Sequence, residues 1–334
     1  MIKRIIGIGN ALTDMLVTLS DDGVLSEFQL EKGSMSLVDS PLQMAISKSV
    51  AGSPYSLSLG GSAGNTVRAM ARLGTEVGFI GKVGEDTTGE FYIEALRNVG
   101  VEPFILTSEY RSGKCLSLIS PDGERTLVTH LGAAAHLHTE DIDPAIFEGY
   151  DCLYVEGYLV QDHSLIRTTI ERAKSAGLKV AIDLASFNVV RENRDFLTDI
   201  VARYVDILFA NEEEATTFSG LEDAEASLDY IASMCELAVV KIGMKGALIR
   251  RGEERLHVGI MSAAKRVDTT GAGDFYAAGF LSALAEGMTL RQCGTIGAIT
   301  AGKVIEVVGT TFGEEAWDEI FALRERVRSE QYLF

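Results

Sequence analysis

Residues 268–280 read DTTGAGDFYAAGF. Two aspartates bracket a Gly-Ala-Gly turn that runs directly into apolar sequence of helical character. Amides at a helix start lack intrahelical partners and face the positive end of the helix dipole, so Gly271, Ala272 and Gly273 offer an anion site. Asp274 is a poor ligand for that anion and a well-placed base. If the anion is a phosphoryl group in transfer, Asp274 accepts the proton of the attacking hydroxyl. The plain alternative is a glycine turn whose aspartate caps a helix.

Other stretches carry chemistry at lower specificity. In GNALTD, Asn10 and Asp14 flank the exit of a first apolar run, and a carboxylate that accepts two hydroxyl hydrogens suits a vicinal diol. In GGSAGN, Asn65 stands at another helix start beside glycines that permit close approach. Both patterns also fit ordinary turns. Asn211 and Glu214, in FANEEEA, have a spacing that can hold hydrated Mg²⁺ or merely compensate a helix dipole. No G-x-x-x-x-G-K-[ST] occurs, and Leu12 breaks the dinucleotide fingerprint that GIGNAL begins, which disfavours a nicotinamide oxidoreductase.

These residues need a scaffold. KRIIGIG, EVGFIGKVG, DCLYVEG, GLKVAID, VDILFAN and LAVVKIG are continuous apolar runs. Helical patterns separate many of them, as at 163–176 and 223–235. Strands apolar throughout and alternating with helices predict a mostly parallel sheet covered on both faces. Residues 12–38 and 104–131 break the rhythm with alternating stretches such as KCLSLIS and RTLVTHL, joined by the hairpin signal SPDGER. The expected organisation is a large α/β domain from 1–11, 39–103 and 132–334, with a small β lid from 12–38 and 104–131 over the strand ends.

Of 334 residues, 46% are apolar, enough for a large core, and the net charge of −18 disfavours nucleic acid and anionic membranes as partners. The four scattered cysteines and the absence of any apolar run of membrane length point to a reduced, cytoplasmic protein, and no export signal is read at the N-terminus.

Taken together, the motifs resemble the ribokinase, or PfkB, family of carbohydrate and nucleoside kinases. DTTGAGDFYAAGF is similar to its C-terminal signature, GGSAGNTVRAMARLG to its N-terminal signature, and NEEE to its N-x-x-E motif. The resemblance implies a ribokinase-like α/β fold with a lid and an ATP- and Mg²⁺-dependent kinase. It makes Asp274 the base over the Gly271–Gly273 anion hole and gives Asn211 and Glu214 to Mg²⁺ through water. It further gives Asn10, Asp14, Gly61, Ser62 and Asn65 to the substrate, and Lys241, Gly243, Gly246, Ala298 and Gly302 to the nucleotide. Asp268 and Thr270 match positions beside a monovalent cation, K⁺, in some members.

Within the family the chain looks most like adenosine kinases. YVDILFANEEEATTF is similar to their stretch, and Ser62 stands where ribokinases carry a lysine. Tyr158 aligns with the ribokinase strand glutamate at a position where adenosine kinases have an aromatic ring. Arg125 matches a flap arginine that could reach phosphate, and Met35 and Leu37 are candidates for the base pocket. The expected reaction is phosphorylation of a primary ribosyl hydroxyl, adenosine being favoured. A kinase for a free sugar, a sugar acid, inosine or guanosine is the second reading, and a catalytically silent sensor the third. Oligomeric state, monomer or homodimer, is left open.

Overall fold

The computed structural model describes residues 2–261, 265–332 and 334. Fourteen strands are described: β1 (Arg4–Ile8), β2 (Leu12–Thr18), β3 (Met35–Leu37), β4 (Tyr55–Leu59), β5 (Glu76–Gly84), β6 (Val101–Ser108), β7 (Gly113–Ile119), β8 (Arg125–His130), β9 (Cys152–Glu156), β10 (Lys179–Asp183), β11 (Ile207–Asn211), β12 (Leu237–Lys241), β13 (Ala247–Arg251) and β14 (Glu254–Val258). Nine form one sheet in the order β14-β13-β12-β11-β10-β9-β1-β5-β6, parallel except for the antiparallel hairpin β13–β14 and its pairing to β12. The expected fold class, a mostly parallel α/β sheet with a small second sheet, is what the chain adopts.

Strand side chains alternate between faces, and the core divides accordingly. Ile5, Phe79, Tyr154 and Phe209 face the helices Ser62–Arg72, Ala272–Ala285 and Leu290–Val304. Ile6, Ile8, Val155 and Ile182 face the helices on the other side, among them His163–Ser175 and Arg194–Tyr204. Both faces of the strands are therefore apolar, which is why the runs read as continuous in sequence. A third cluster, with Val17, Ile46, Leu116, Leu118 and Val128, underlies the small sheet, whose order is β3-β8-β7-β2-β4.

Two expected boundaries move. Residues 104–108 belong to β6, which pairs in parallel with β5 at the rim of the large sheet. An edge strand is half exposed and so alternates as a lid strand does, and the rim tolerates Pro103. Conversely, Tyr55–Leu59 pairs with β2 in the small sheet, and the helix Ser40–Ser49 packs Ile46 beneath it. The strands of the small sheet thus come from 12–18, 35–37, 55–59, 113–119 and 125–130, and Leu19 and Leu25 pack with them, so the expected segment 12–38 extends to 59 and the expected segment 104–131 loses 104–108 to the large sheet. Tyr55 and Leu57 are 59% and 51% exposed, so β4 lacks the buried pattern that marks a strand in sequence.

Candidate active site

Four neighbouring parallel strands each end on a polar side chain: Glu156 on β9, Asp183 on β10, Asn211 on β11 and Lys241 on β12. Register makes this a row, with Asp183 beside Glu156 and Asn211 beside Lys241. In open α/β sheets the carboxyl ends of the strands are where ligands bind. Here they open into a cavity of about 970 Å³ that runs under the small sheet.

The glycine turn forms one wall. Gly271 has φ +75°, a left-handed conformation that glycine adopts without strain, and a Cβ there would lie 2.6 Å from Thr310 Cγ2. The helix Ala272–Ala285 starts at once, and its first-turn amides have no intrahelical carbonyls to bind. Ala272 departs from the expected anion hole, because its N–H returns 3.2 Å to the Thr269 carbonyl. The Gly273 and Asp274 amides stand in the same first turn.

Asp274 accepts from Ser62 Oγ at 2.7 Å and from Asn65 Nδ2 at 2.9 Å. Burial raises its pKa, those two donors lower it, and the result is about 6. Such a group is ionised at neutral pH and still basic enough to take a proton. Asn65 is thus committed. Its Oδ1 accepts from Arg68 at 2.6 Å and from Thr310 Oγ1 at 3.1 Å, and the residue is buried behind Asp274 and does not line the cavity. Asn65, expected at a substrate hydroxyl, is thus paired with Asp274, Arg68 and Thr310 in this structure.

Asp14 does line the cavity, with Asn10, Gly61 and Ser62. Burial pushes its pKa up to about 7 against the pull of Arg68 and Arg125. Gly61 (φ +80°) lies so near the chain that a Cβ would sit 2.1 Å from the Asn10 carbonyl oxygen. Tyr158, in the turn after β9, and Met35 and Leu37, from β3, line the same cavity, the last two being 47% and 52% exposed.

Asn211 and Glu214 form a capping box. The Glu214 amide donates to Asn211 Oδ1, while Asn211 N and Nδ2 donate to the two Glu214 oxygens, at 2.8, 2.8 and 2.6 Å. Each Glu214 oxygen keeps one lone-pair direction. The pair therefore fits Mg²⁺ held through water and not direct ligation. Burial and the nearby Asp183 raise the Glu214 pKa to about 7, a strain that a dication would relieve. Among the described residues, no group of three or more His, Cys, Asp or Glu side chains is placed to ligate a metal directly.

Lys241, expected among nucleotide contacts, pairs with Asp183 at 2.8 Å, and a Cβ on Gly273 would lie 3.1 Å from its Nζ. Burial opposes its charge, but Asp183, Glu214 and Asp274 outweigh it and the pKa is raised. Gly243, Gly246, Ala298 and Gly302 line the same cavity.

Asp268 and Thr270 are not open to a cation. Asp268 Oδ1 accepts from the Thr270 amide and hydroxyl at 3.1 and 2.8 Å, and Oδ2 from the Gly309 amide at 2.8 Å and Arg125 Nη1 at 2.9 Å.

Sequence reasoning missed Asp183, Glu156 and Arg68. The visible signal for the acids was a carboxylate closing an apolar run at the same register as Asn211 and Lys241. Glu156 also corrects the alignment made through Tyr158, because an acid does stand at this strand end. It is buried and accepts from Asn10 Nδ2 at 2.8 Å and from the Ala63 amide at 2.9 Å.

Comparison with known proteins fits this geometry. The sequence pattern of the pfkB family carbohydrate kinases matches residues 39–317. The chain belongs to that family. It is a phosphotransferase, and the family implies a nucleotide co-substrate, ATP, and a small-molecule acceptor. The adenosine kinase of Sinorhizobium meliloti superposes with a TM-score of 0.87 at 32% identity, over 97% of this chain and 100% of that one. A probable sugar kinase from Rhizobium etli gives 0.87 at 30%, over 97% and 99%. A nucleoside kinase of Methanocaldococcus jannaschii is 28% identical over 80% of this chain and 86% of its own. Among the described residues no helix is long and apolar enough to cross a membrane.

Proposed function

We propose that this kinase transfers the γ-phosphoryl group of ATP to the 5′-hydroxyl of adenosine. The observation that carries this reading is the composition of the cavity around Asp14. The cavity that Asp14 lines is also lined by Leu16, Met35, Leu37, Leu127 and Tyr158. Asp14 suits the ribose 2′- and 3′-hydroxyls. The apolar wall suits a stacked base, which a free sugar would leave uncovered. Glu156, the acid that could serve a free sugar, already binds Asn10 and Ala63.

On this reading Asp274 takes the 5′-hydroxyl proton as the oxygen attacks, and the Gly273 and Asp274 amides hold the transferring group. Lys241 keeps the surrounding carboxylates compatible with that charge. Mg²⁺ held through water near Glu214 and Asn211 would neutralise charge on the phosphates. Nucleotide would lie along Gly243, Gly246, Ala298 and Gly302, with the small sheet acting as a lid. All four cysteines are free, and we place the reaction in the cytoplasm.

A substrate panel tests this. Adenosine is expected to show a higher kcat/KM than inosine, guanosine or ribose, and 2′-deoxyadenosine to fall markedly below adenosine. Faster turnover of ribose or another free sugar would end the nucleoside reading and leave the family untouched. The likeness to a probable sugar kinase makes that the alternative to exclude.

A further inference from the structure

Arg125 is the first residue of β8 in the small sheet, and Asp268 lies in the loop that leads to the catalytic turn. Their side chains meet at 2.9 Å, and both are about nine-tenths buried, at 11% and 9% exposure. A carboxylate offers roughly four lone-pair directions. Those of Asp268 are taken by Thr270 N, Thr270 Oγ1, Gly309 N and Arg125 Nη1. The Thr270 hydroxyl donates to Asp268 and accepts from Arg125 Nη1 at 3.2 Å. A metal ion seated on this carboxylate would have to displace one of those donors and would face a guanidinium across a few ångströms of buried space.

We propose that the Arg125 guanidinium takes the place of a monovalent cation beside the anion hole, so that the positive charge the catalytic turn needs comes from the lid and not from solution. The guanidinium carries its donors in a fixed fork. One arm, Nη1, fixes Asp268 and Thr270, and through them the start of the Gly271 turn. The other arm, Nη2, is buried without a hydrogen-bond partner among the described residues, although Arg125 lines the cavity. A buried donor of this kind is costly, and an oxygen of the transferring phosphoryl group would satisfy it. The lid and the anion hole are thereby one electrostatic unit. The inference goes beyond the substrate reading and does not depend on which hydroxyl compound is phosphorylated.

The test compares KCl with tetramethylammonium chloride at equal ionic strength, by thermal melting of the ligand-free protein and by initial rate. Bound K⁺ well above its dissociation constant would raise Tm by about 2–4 °C. The wild-type protein is expected to show no K⁺-specific rise in Tm and less than about a twofold change in rate, whereas loss of a charge interaction worth one pKa unit would change the rate about tenfold. Arg125→Ala uncovers Asp268 and is expected to gain a K⁺-specific rise in Tm. Arg125→Gln replaces it in the test if the alanine variant does not fold. A K⁺-specific rise or several-fold activation in the wild type would overturn the proposal. So would a folded Arg125 variant indifferent to K⁺. The melts need no substrate, so a failure here is separable from a failure of the adenosine reading.

Discussion

The two sides of the cavity are built in opposite ways. On the large-sheet side, Asp274, Asn65, Glu156, Asp183 and Lys241 are buried or nearly so, and each is held by named donors or acceptors within 2.9 Å. On the small-sheet side, Met35 and Leu37 are about half exposed, and Asp14 presents its carboxylate to the cavity. A catalytic group gains from being fixed before the substrate arrives, since no reorganisation is then needed at the moment of reaction. A specificity wall gains from closing only when the right substrate fills it. On the proposed reading, the reactive groups are fixed on the large-sheet side, at its strand ends and on the helices packed against it, and the small sheet contributes to recognition.

The sharpest test of the rigid side is the base itself. Asp274→Asn keeps the shape and loses the proton acceptor, so kcat is expected to fall by about 10²–10⁴-fold with adenosine binding retained. Near-full turnover at saturating substrate would remove Asp274 from its role.

Next is the ion pair below it. Removing one partner of a buried pair leaves an uncompensated charge, at a cost of about 3–5 kcal/mol. Lys241→Met should therefore lower stability by that order in denaturant titration. Adding Asp183→Asn should recover part of the loss. A double variant no more stable than Lys241→Met alone would show that the pair is not coupled.

At the cavity wall beyond β9, Tyr158→Ala is expected to raise KM for adenosine by about tenfold, within the ~1–3 kcal/mol of base stacking, and to leave residual turnover of ribose little changed. Equal losses on both substrates would make Tyr158 a structural residue.

The pH dependence separates the two sides further. On the proposed mechanism the ionised form of Asp274 is the base, so kcat/KM should fall as pH drops through about 6. Ser62→Ala removes a donor to that ionised form and should move the limb upward. Stability runs the other way. Asp14, Glu156 and Glu214 titrate near 7 when folded, above their ordinary values. The folded chain therefore binds more protons than the unfolded chain between their ordinary range and about 7, and stability is lost as pH rises through 7. Ligand-free Tm should be lower at pH 8 than at pH 6 by about 2–4 °C.

The smallest effect belongs to the rim of the lid. Met35→Ala touches an exposed residue and should change stability by less than about 0.5 kcal/mol, while KM for adenosine rises a few-fold.

Periodicity exposed the inner strands of the large sheet because their burial on both faces writes itself as unbroken apolar runs. It misassigned β6 and overlooked β4, whose half-exposed residues carry no such mark. Asp274 was legible from its neighbours in the chain. Asp183, Arg68 and the true partner of Asn65 were not, because their meaning lies in contacts over long sequence separations: Asn65 reaches Asp274 across 209 positions, and Lys241 reaches Asp183 across 58. Asp268 was matched to a cation position through the family resemblance, and the Gly309 and Arg125 donors around it lie too far along the chain for sequence to show.

The position of β1 also bears on how the chain is made. Of the described strands it is synthesised first, yet it lies inside the large sheet, between β5 and β9. Its partner on one side emerges as residues 76–84, and on the other only as residues 152–156. Until then an apolar strand has one unpaired edge, the kind that recruits other chains. Fragments ending before residue 150 should therefore aggregate when expressed alone, and the nascent chain depends on covering that edge before release.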